Sequence, residues 1–118
     1  MISLHGRTLQ QGYKGDADWS AIARAAEIAA GSETLVIGNG DVQNLADAIR
    51  RARSSGVHGV LLGRAAQGNP WVFAGKDCIR TAHSMTQPRD LDVAPLTLVE
   101  RFRVIAEHCE YYEMHMSN

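Results

Sequence analysis

Apolar and polar positions along this chain follow two alternating patterns. Three short stretches read as strands, each closing on a glycine. They are Ile2-Ser3-Leu4-His5-Gly6, Thr34-Leu35-Val36-Ile37-Gly38 and Gly59-Val60-Leu61-Leu62-Gly63. The second and third are continuous apolar runs, the kind buried on both faces in parallel sheets. Helical spacing fills the intervals. Ile22, Ala25, Ala26 and Ala29 share one face, behind Asp16 and Asp18, and Leu45, Ala48, Ile49 and Ala52 share another. An aspartate at a helix start accepts hydrogen bonds from free backbone N–H groups and suits the helix dipole. Gly31 and Gly56 are natural stops, because glycine adopts the left-handed conformation that ends a helix. The order strand, helix, strand, helix, strand with short loops predicts βαβ units on a parallel sheet.

Further along, Asn69-Pro70-Trp71-Val72-Phe73 predicts a short helix with Asn69 as cap and Pro70 in its first position. Residues 83 to 95, with Pro88, Arg89, Asp90, Asp92 and Pro95, read as a linker. A last helix begins at Thr97-Leu98-Val99-Glu100, which has the form of a capping box. Val99, Phe102, Ile105, Ala106, Cys109 and Tyr112 form its apolar stripe.

Composition narrows the function classes. The chain has 118 residues, a formal net charge of −1 and 45% apolar residues. That balance excludes a disordered tail, and no apolar run approaches the roughly 20 residues of a membrane helix. The first residues lack the basic start and long apolar stretch of a secretory signal, so a cytoplasmic location is expected. The only tight basic cluster, Arg50, Arg51 and Arg53, reads as a solvated helix face and not as the basic stripe of a nucleic-acid-binding domain. Cys78 and Cys109 are too few and too far apart for a disulfide framework or a metal site, and read as reduced thiols. His58, His83, His108 and His115 show no metal-ligand spacing and read as surface or packing residues.

Candidate chemistry gathers at two glycine-marked turns. Gly38-Asn39-Gly40-Asp41 follows the second strand, and Gly63-Arg64-Ala65-Ala66 follows the third. Either turn alone fits a tight loop. On consecutive strand–helix units, and with an arginine on the second, they point to an anion. Glycine lets backbone approach a phosphate, and arginine binds it through two donors. Barrels of alternating strands and helices place phosphate at the turns after their last strands. His5 ends the first strand on the same rim.

These motifs occur in a characteristic order. His5-Gly6-Arg7-Thr8, Tyr13-Lys14-Gly15-Asp16-Ala17-Asp18-Trp19, Gly38-Asn39-Gly40-Asp41 and Gly63-Arg64-Ala65-Ala66-Gln67-Gly68-Asn69-Pro70-Trp71 together resemble the tRNA-dihydrouridine synthase family. The resemblance covers roughly residues 2 to 73, with a looser likeness in the last helix. It implies an FMN-binding TIM barrel followed by a small helical domain that helps hold tRNA. It implies hydride taken from NADPH or NADH and the reduction of uridine to dihydrouridine. The three strands here would be the sixth, seventh and eighth of that barrel. By the same resemblance Asn39, Gly40 and Asp41 belong to a flavin-contacting turn, Gly63 and Arg64 to a phosphate-binding turn, and His5 lies near the flavin and the target base. Arg7 shares a motif with His5 but receives no role, and a loop-ordering arginine is an equal reading. The family's proton-donating cysteine, its strand-one flavin contacts and its strand-five lysine belong to parts absent from this sequence. No catalytic residue and no metal ligand is therefore assigned.

A complete barrel of this type takes roughly 200 residues or more. The expected fold is accordingly α/β, a partial TIM (β/α)8 barrel holding the last three strand–helix units, followed by the first helix of a helical domain. Residues 1 to 82 would be the barrel portion, 83 to 95 the linker and 96 to 118 the start of the tRNA-binding domain. Three functions fit: a segment of a dihydrouridine synthase, a non-catalytic remnant that binds FMN or another phosphate ligand, and a piece of another FMN-dependent barrel oxidoreductase. The motif set favours the first. Alone, the chain is expected to be inactive and oligomeric or aggregation-prone, since its strands leave edges and one face uncovered.

Overall fold

The computed structural model describes residues 1 to 74 and 96 to 116. Strand β1 runs Ile2–His5, helix α1 Trp19–Ala29, strand β2 Val36–Asn39, helix α2 Leu45–Ser55 and strand β3 Gly59–Leu61. Two short 3-10 helices follow, Arg64–Ala66 and Pro70–Phe73, and a long helix α3 spans Leu98–Met116. The sheet is parallel and its strands lie in chain order, β1-β2-β3. This is the α/β arrangement that the alternating pattern predicts.

Register decides what each face carries. Ile2 pairs with Val36, Leu4 with Gly38 and His5 with Asn39, while Gly38 pairs with Val60 and Asn39 with Leu61. Successive side chains alternate faces. Ile2, Leu4, Val36 and Val60 therefore share the helix-covered face, and Ser3, His5, Ile37, Asn39 and Leu61 share the other. The core lies on the first face, where Ile22, Ala26, Val36 and Val57 are buried together. Leu4, Trp19, Ala29, Ala52 and Val60 pack around them. Ile22 and Val36 are enclosed almost completely, and each contributes on the order of 1.5–3 kcal/mol through burial. The opposite face is open, and Leu61 is 46% exposed. The apolar runs suggest strands covered on both sides; among the described residues only one side is covered.

Three helix ends match their sequence signals. Asp18 caps α1, its carboxylate accepting from the backbone N–H groups of Ser20 and Ala21. Gly56 ends α2 in the left-handed conformation, with its N–H donated to the Ala52 carbonyl. Thr97 and Glu100 close a reciprocal capping box. The Thr97 N–H donates to the Glu100 carboxylate at 2.8 Å, and the Glu100 N–H to the Thr97 hydroxyl at 3.3 Å. Pro70 takes the first position of its short helix, but the Asn69 side chain makes no capping bond there. That helix is 3-10, and a single tight turn leaves few free N–H groups for a side chain to reach.

Helix α3 buries none of its residues. Phe102 is 65% exposed and Tyr112 61%. Its stripe includes Cys109, an exposed free thiol. The linker of residues 83 to 95, with His83, and Cys78 lie outside the described residues. No helix among the described residues is long and apolar enough to cross a membrane.

Candidate functional site

The C-terminal ends of the three strands open into one cleft of about 700 Å3, lined among others by His5, Arg7, Asn39, Asp41, Gly63 and Arg64. All six candidates from the sequence, His5, Asn39, Gly40, Asp41, Gly63 and Arg64, line it. They converge because each follows or ends a parallel strand, and parallel neighbours present their C-termini on one rim.

Interlocking of the loops starts at glycines. The Gly6 N–H donates to the Asn39 carbonyl at 2.9 Å, and the Asp18 N–H to the Gly6 carbonyl at 2.6 Å. Ala17 is held between Gly6 and Gly40. A Cβ placed on Gly40 would stand 2.6 Å from that of Ala17, and one on Gly6 3.0 Å. Gly40 has φ +133° and Asp41 φ +54°, a conformation that aspartate tolerates better than most residues. These two angles turn the Asp41 side chain back toward the loop that precedes α1.

The Asp41 carboxylate is the hub of the site. Its Oδ1 accepts from Arg7 Nη1 at 2.5 Å and from Arg64 Nη2 at 2.6 Å. Its Oδ2 accepts from the Ala17 N–H at 2.8 Å. Burial by itself would raise the Asp41 pKa. The Ala17 N–H, the Arg7 hydrogen bond and the charges of both arginines outweigh it, and the carboxyl sits below its ordinary range. Arg7 is the inner partner, with its side chain 8% exposed against 57% for Arg64. Arg7 also donates through Nη2 to the Gly15 carbonyl at 2.5 Å. The Arg64 guanidinium lies 5.3 Å over the Tyr13 ring, within the range of a cation–π contact. One carboxylate between two guanidinium groups leaves one net positive charge, carried at the mouth by Arg64.

His5 and Gly63 complete the rim. His5 Nδ1 accepts from the Arg7 N–H at 3.0 Å, so a neutral imidazole there keeps its proton on Nε2 as a donor. A side chain at Gly63 would meet no atom within 4 Å, so the space beside Arg64 is open. Among the described residues no cluster of three or more histidine, cysteine, aspartate or glutamate side chains gathers as a metal site.

Helix α2 corrects one expectation. Arg50 is on the solvent side, but Arg51 is not a solvated residue. Arg51 Nε donates to both carboxylate oxygens of Asp47 at 3.0 Å, and its guanidinium stacks 5.0 Å from the Trp19 ring. Asp47 is buried at 5% exposure and also accepts from the Gln43 N–H, while its own N–H is capped by Asn44 at 2.8 Å. Asp47 draws Arg51 inward because a buried carboxylate needs a countercharge. His58 is exposed, with Nδ1 accepting from the Val36 N–H at 3.1 Å; His108 and His115 lie on the exposed face of α3.

Three participants escape sequence reasoning: Ala17 as a backbone donor, Tyr13 under Arg64, and Arg7 as the buried partner of Asp41. The small residue in Asp16-Ala17-Asp18, flanked by larger ones, is the one local signal of a tight approach.

Comparison with known proteins settles the family. The dihydrouridine synthase family model matches residues 1–118. The chain belongs to the dihydrouridine synthase family. It is 34% identical over 111 residues to a probable tRNA-dihydrouridine synthase of Rickettsia conorii, covering 93% of this chain and 30% of that protein. It is 36% identical over 110 residues to the Rhizobium leguminosarum protein of the same name, covering 91% and 31%. With the Aquifex aeolicus protein, also a probable tRNA-dihydrouridine synthase, it shares 33% identity over 117 residues, 99% of this chain and 32% of the relative. The chain thus spans about 30% of the length of the curated relatives it matches.

Proposed function

We propose that this chain is the phosphate-holding part of an FMN-dependent tRNA-dihydrouridine synthase, which reduces uridine to dihydrouridine in tRNA. One observation carries the reading: the net positive charge left on Arg64, beside the open space at Gly63, at the C-terminal ends of consecutive parallel strands. The residues present fit the phosphate end of FMN. Arg64 offers donors beyond the one that Asp41 occupies, since a guanidinium has five N–H groups. The cleft is of the size that ligand sites take. His5, Asn39 and Gly40 lie farther along the same rim, where they would meet the rest of the cofactor.

The chain-order parallel sheet supports a barrel, since strands of a (β/α)8 barrel follow one another in this way. Its open face, with Ile37 and Leu61, would become the barrel interior, closed by strands outside this chain. Helix α3 would then begin the helical domain that contacts tRNA. When bound, FMN supplies the hydride, drawn from NADPH or NADH. This chain's residues bind the phosphate, orient the cofactor and offer the His5 Nε2 proton as a hydrogen bond at the rim. The acid that protonates the second carbon of the uracil ring lies outside this chain in this reading. The names of the relatives support tRNA as the substrate.

The test uses a chimaera in which this chain replaces the matching segment of the Aquifex aeolicus relative. The purified protein is incubated with unmodified tRNA, FMN and NADPH, and the nucleosides are analysed by mass spectrometry. A gain of two hydrogens at uridine is expected from the chimaera and none from the 118-residue chain alone. FMN binding without reduction would favour a non-catalytic remnant, and loss of FMN binding would sink the reading.

A further inference from the structure

Two arginines share one carboxylate oxygen in this site, and both line the cleft, but the outer one presents far more of its side chain to a ligand. Asp41 Oδ1 accepts from both Arg7 and Arg64, yet the Arg7 side chain is 8% exposed and that of Arg64 57%. Arg7 is fixed from two further directions. Its second Nη is bound to the Gly15 carbonyl, and its Nε is buried without a hydrogen-bond partner. A guanidinium buried with one donor unsatisfied is costly, so the position is not explained by hydrogen bonding alone. Its charge explains it. Without Arg7, Asp41 and Arg64 would form a closed neutral pair, and an incoming anion would have to compete with Asp41 for Arg64. With Arg7 behind it, Asp41 is already neutralised. It can hold the Arg64 guanidinium in place while leaving that charge available.

We propose that Arg7 is a charge-balancing residue: it neutralises Asp41 from the inside, so that Asp41 positions Arg64 without consuming its charge for a phosphate ligand. The inference rests on the phosphate-binding reading above. It assigns Arg7 no contact with the ligand, and it makes Asp41 a positioning residue. A loop-ordering arginine would make the same bonds to Asp41 and Gly15, but it would respond differently when the charge on Asp41 is removed.

The experiment measures FMN affinity by flavin fluorescence in the chimaera, with inorganic phosphate as a competing probe. Arg7→Met removes the charge while keeping an apolar stem in the buried slot. An unbalanced unit charge one guanidinium away is worth at least about tenfold in affinity, and FMN binding should weaken by that factor. The double variant Arg7→Met with Asp41→Asn removes both charges. It keeps an amide oxygen for Arg64, and affinity should recover to within about threefold of the parent. Phosphate should compete in the same order, since the effect lies at the phosphate and not at the flavin ring. A double variant that binds no better than Arg7→Met alone would overturn the charge-balancing role and leave the phosphate site standing. Failure of the parent chimaera to bind FMN would remove the site itself, and the inference with it. If Arg7→Met does not fold, as judged by near-ultraviolet circular dichroism, Asp41→Asn alone decides. Charge balancing requires it to bind FMN at least as tightly as the parent, and a loss of about tenfold would reject the proposal.

Discussion

The indole Nε1 of Trp19 donates to the carbonyl oxygen of Gly40 at 2.9 Å, which ties the first residue of α1 to the turn after β2. The same ring lies so close to Gly38 that a Cβ there would stand 2.7 Å from it. One side chain therefore fixes the height of the turn and forbids bulk beneath it. Asp41, which follows directly, inherits its position from this contact.

Gly40→Ala should be among the most destabilising single-methyl changes in the molecule. Its φ of +133° is closed to most side chains, and the new methyl would meet the Ala17 Cβ at 2.6 Å. Backbone strain of about 1–3 kcal/mol adds to overpacking of about 1–3 kcal/mol. Gly12→Ala is the contrast, because Gly12 also has positive φ but open space around its Cβ. It should cost only the backbone term, about 1–2 kcal/mol. Urea unfolding of both variants in the chimaera checks this, and equal losses would show that the contact with Ala17 does not matter.

The carboxylate network has a defined pH signature. Burial opposes ionisation of Asp41, but the Ala17 N–H, the Arg7 hydrogen bond and the charges of Arg7 and Arg64 together hold its pKa below the ordinary 3.8. A carboxyl with a depressed folded-state pKa contributes stability above its unfolded value, and loses it as pH falls through the folded value. Asp41→Asn should therefore be less stable than the parent from neutral pH down to about pH 4. The difference should shrink in more acid solution, where the parent is protonated too. Thermal melts of both proteins across that range read it directly. A gap that persists unchanged at the most acid pH would mean that the charge of Asp41 is not what stabilises the fold.

The elements of this fold are legible because they depend on local pattern. The helix face of Ile22 and Ala26, the Asp18 cap and the Gly56 stop all follow from residues within a few positions of one another. Strand limits are less so. Apolar character begins at Leu35, but the paired strand is Val36–Asn39, because its ends are set by neighbours: Ile2 donates to the Leu35 carbonyl and His58 accepts from the Val36 N–H. The rim residues were legible as candidates because each ends a strand at a glycine. Their wiring was not. Arg7 meets Asp41 across 34 positions and Ala17 meets it across 24, and no local spacing encodes contacts of that range. The inward turn of Arg51 is not encoded locally either. Its partner Asp47 is near in sequence, but the burial of that carboxylate is a property of the folded packing.

The isolated 118-residue chain should associate in solution. Its uncovered sheet face carries Leu61 at 46% exposure, and α3 presents Phe102, Ile105 and Tyr112, each more than half exposed. Apolar surface of this extent seeks cover, and unpaired strand edges recruit further chains. Sedimentation velocity should find oligomers or aggregates at micromolar concentration. The chimaera, which supplies the rest of the relative's chain, should sediment as a discrete species. A stable, cooperatively unfolding monomer of the chain alone would show that its exposed faces do not drive association.

Arg64 bears the functional argument most directly. It stands after Gly63 at the mouth, held by Asp41 at 2.6 Å and stacked on Tyr13, with its side chain 57% exposed. A guanidinium at that place can meet two phosphate oxygens at once, which a neutral side chain cannot. A charged hydrogen bond of this kind is worth about 1.5–3 kcal/mol. Arg64→Ala should therefore weaken FMN binding by roughly 10- to 150-fold. Stability should change little, because the exposed ion pair it removes is worth at most about 1 kcal/mol. Arg50→Ala is the control. Arg50 is a cation paired with Asp47 at 2.7 Å on the solvent side of α2 and absent from the cleft lining. Removing it subtracts the same formal charge without touching the mouth, so FMN affinity should stay nearly constant. Flavin fluorescence titration of the two chimaera variants separates a local phosphate contact from a general loss of positive charge. Equal weakening in both would mean that FMN senses only net charge, and parent-like affinity in Arg64→Ala would move the phosphate away from this turn.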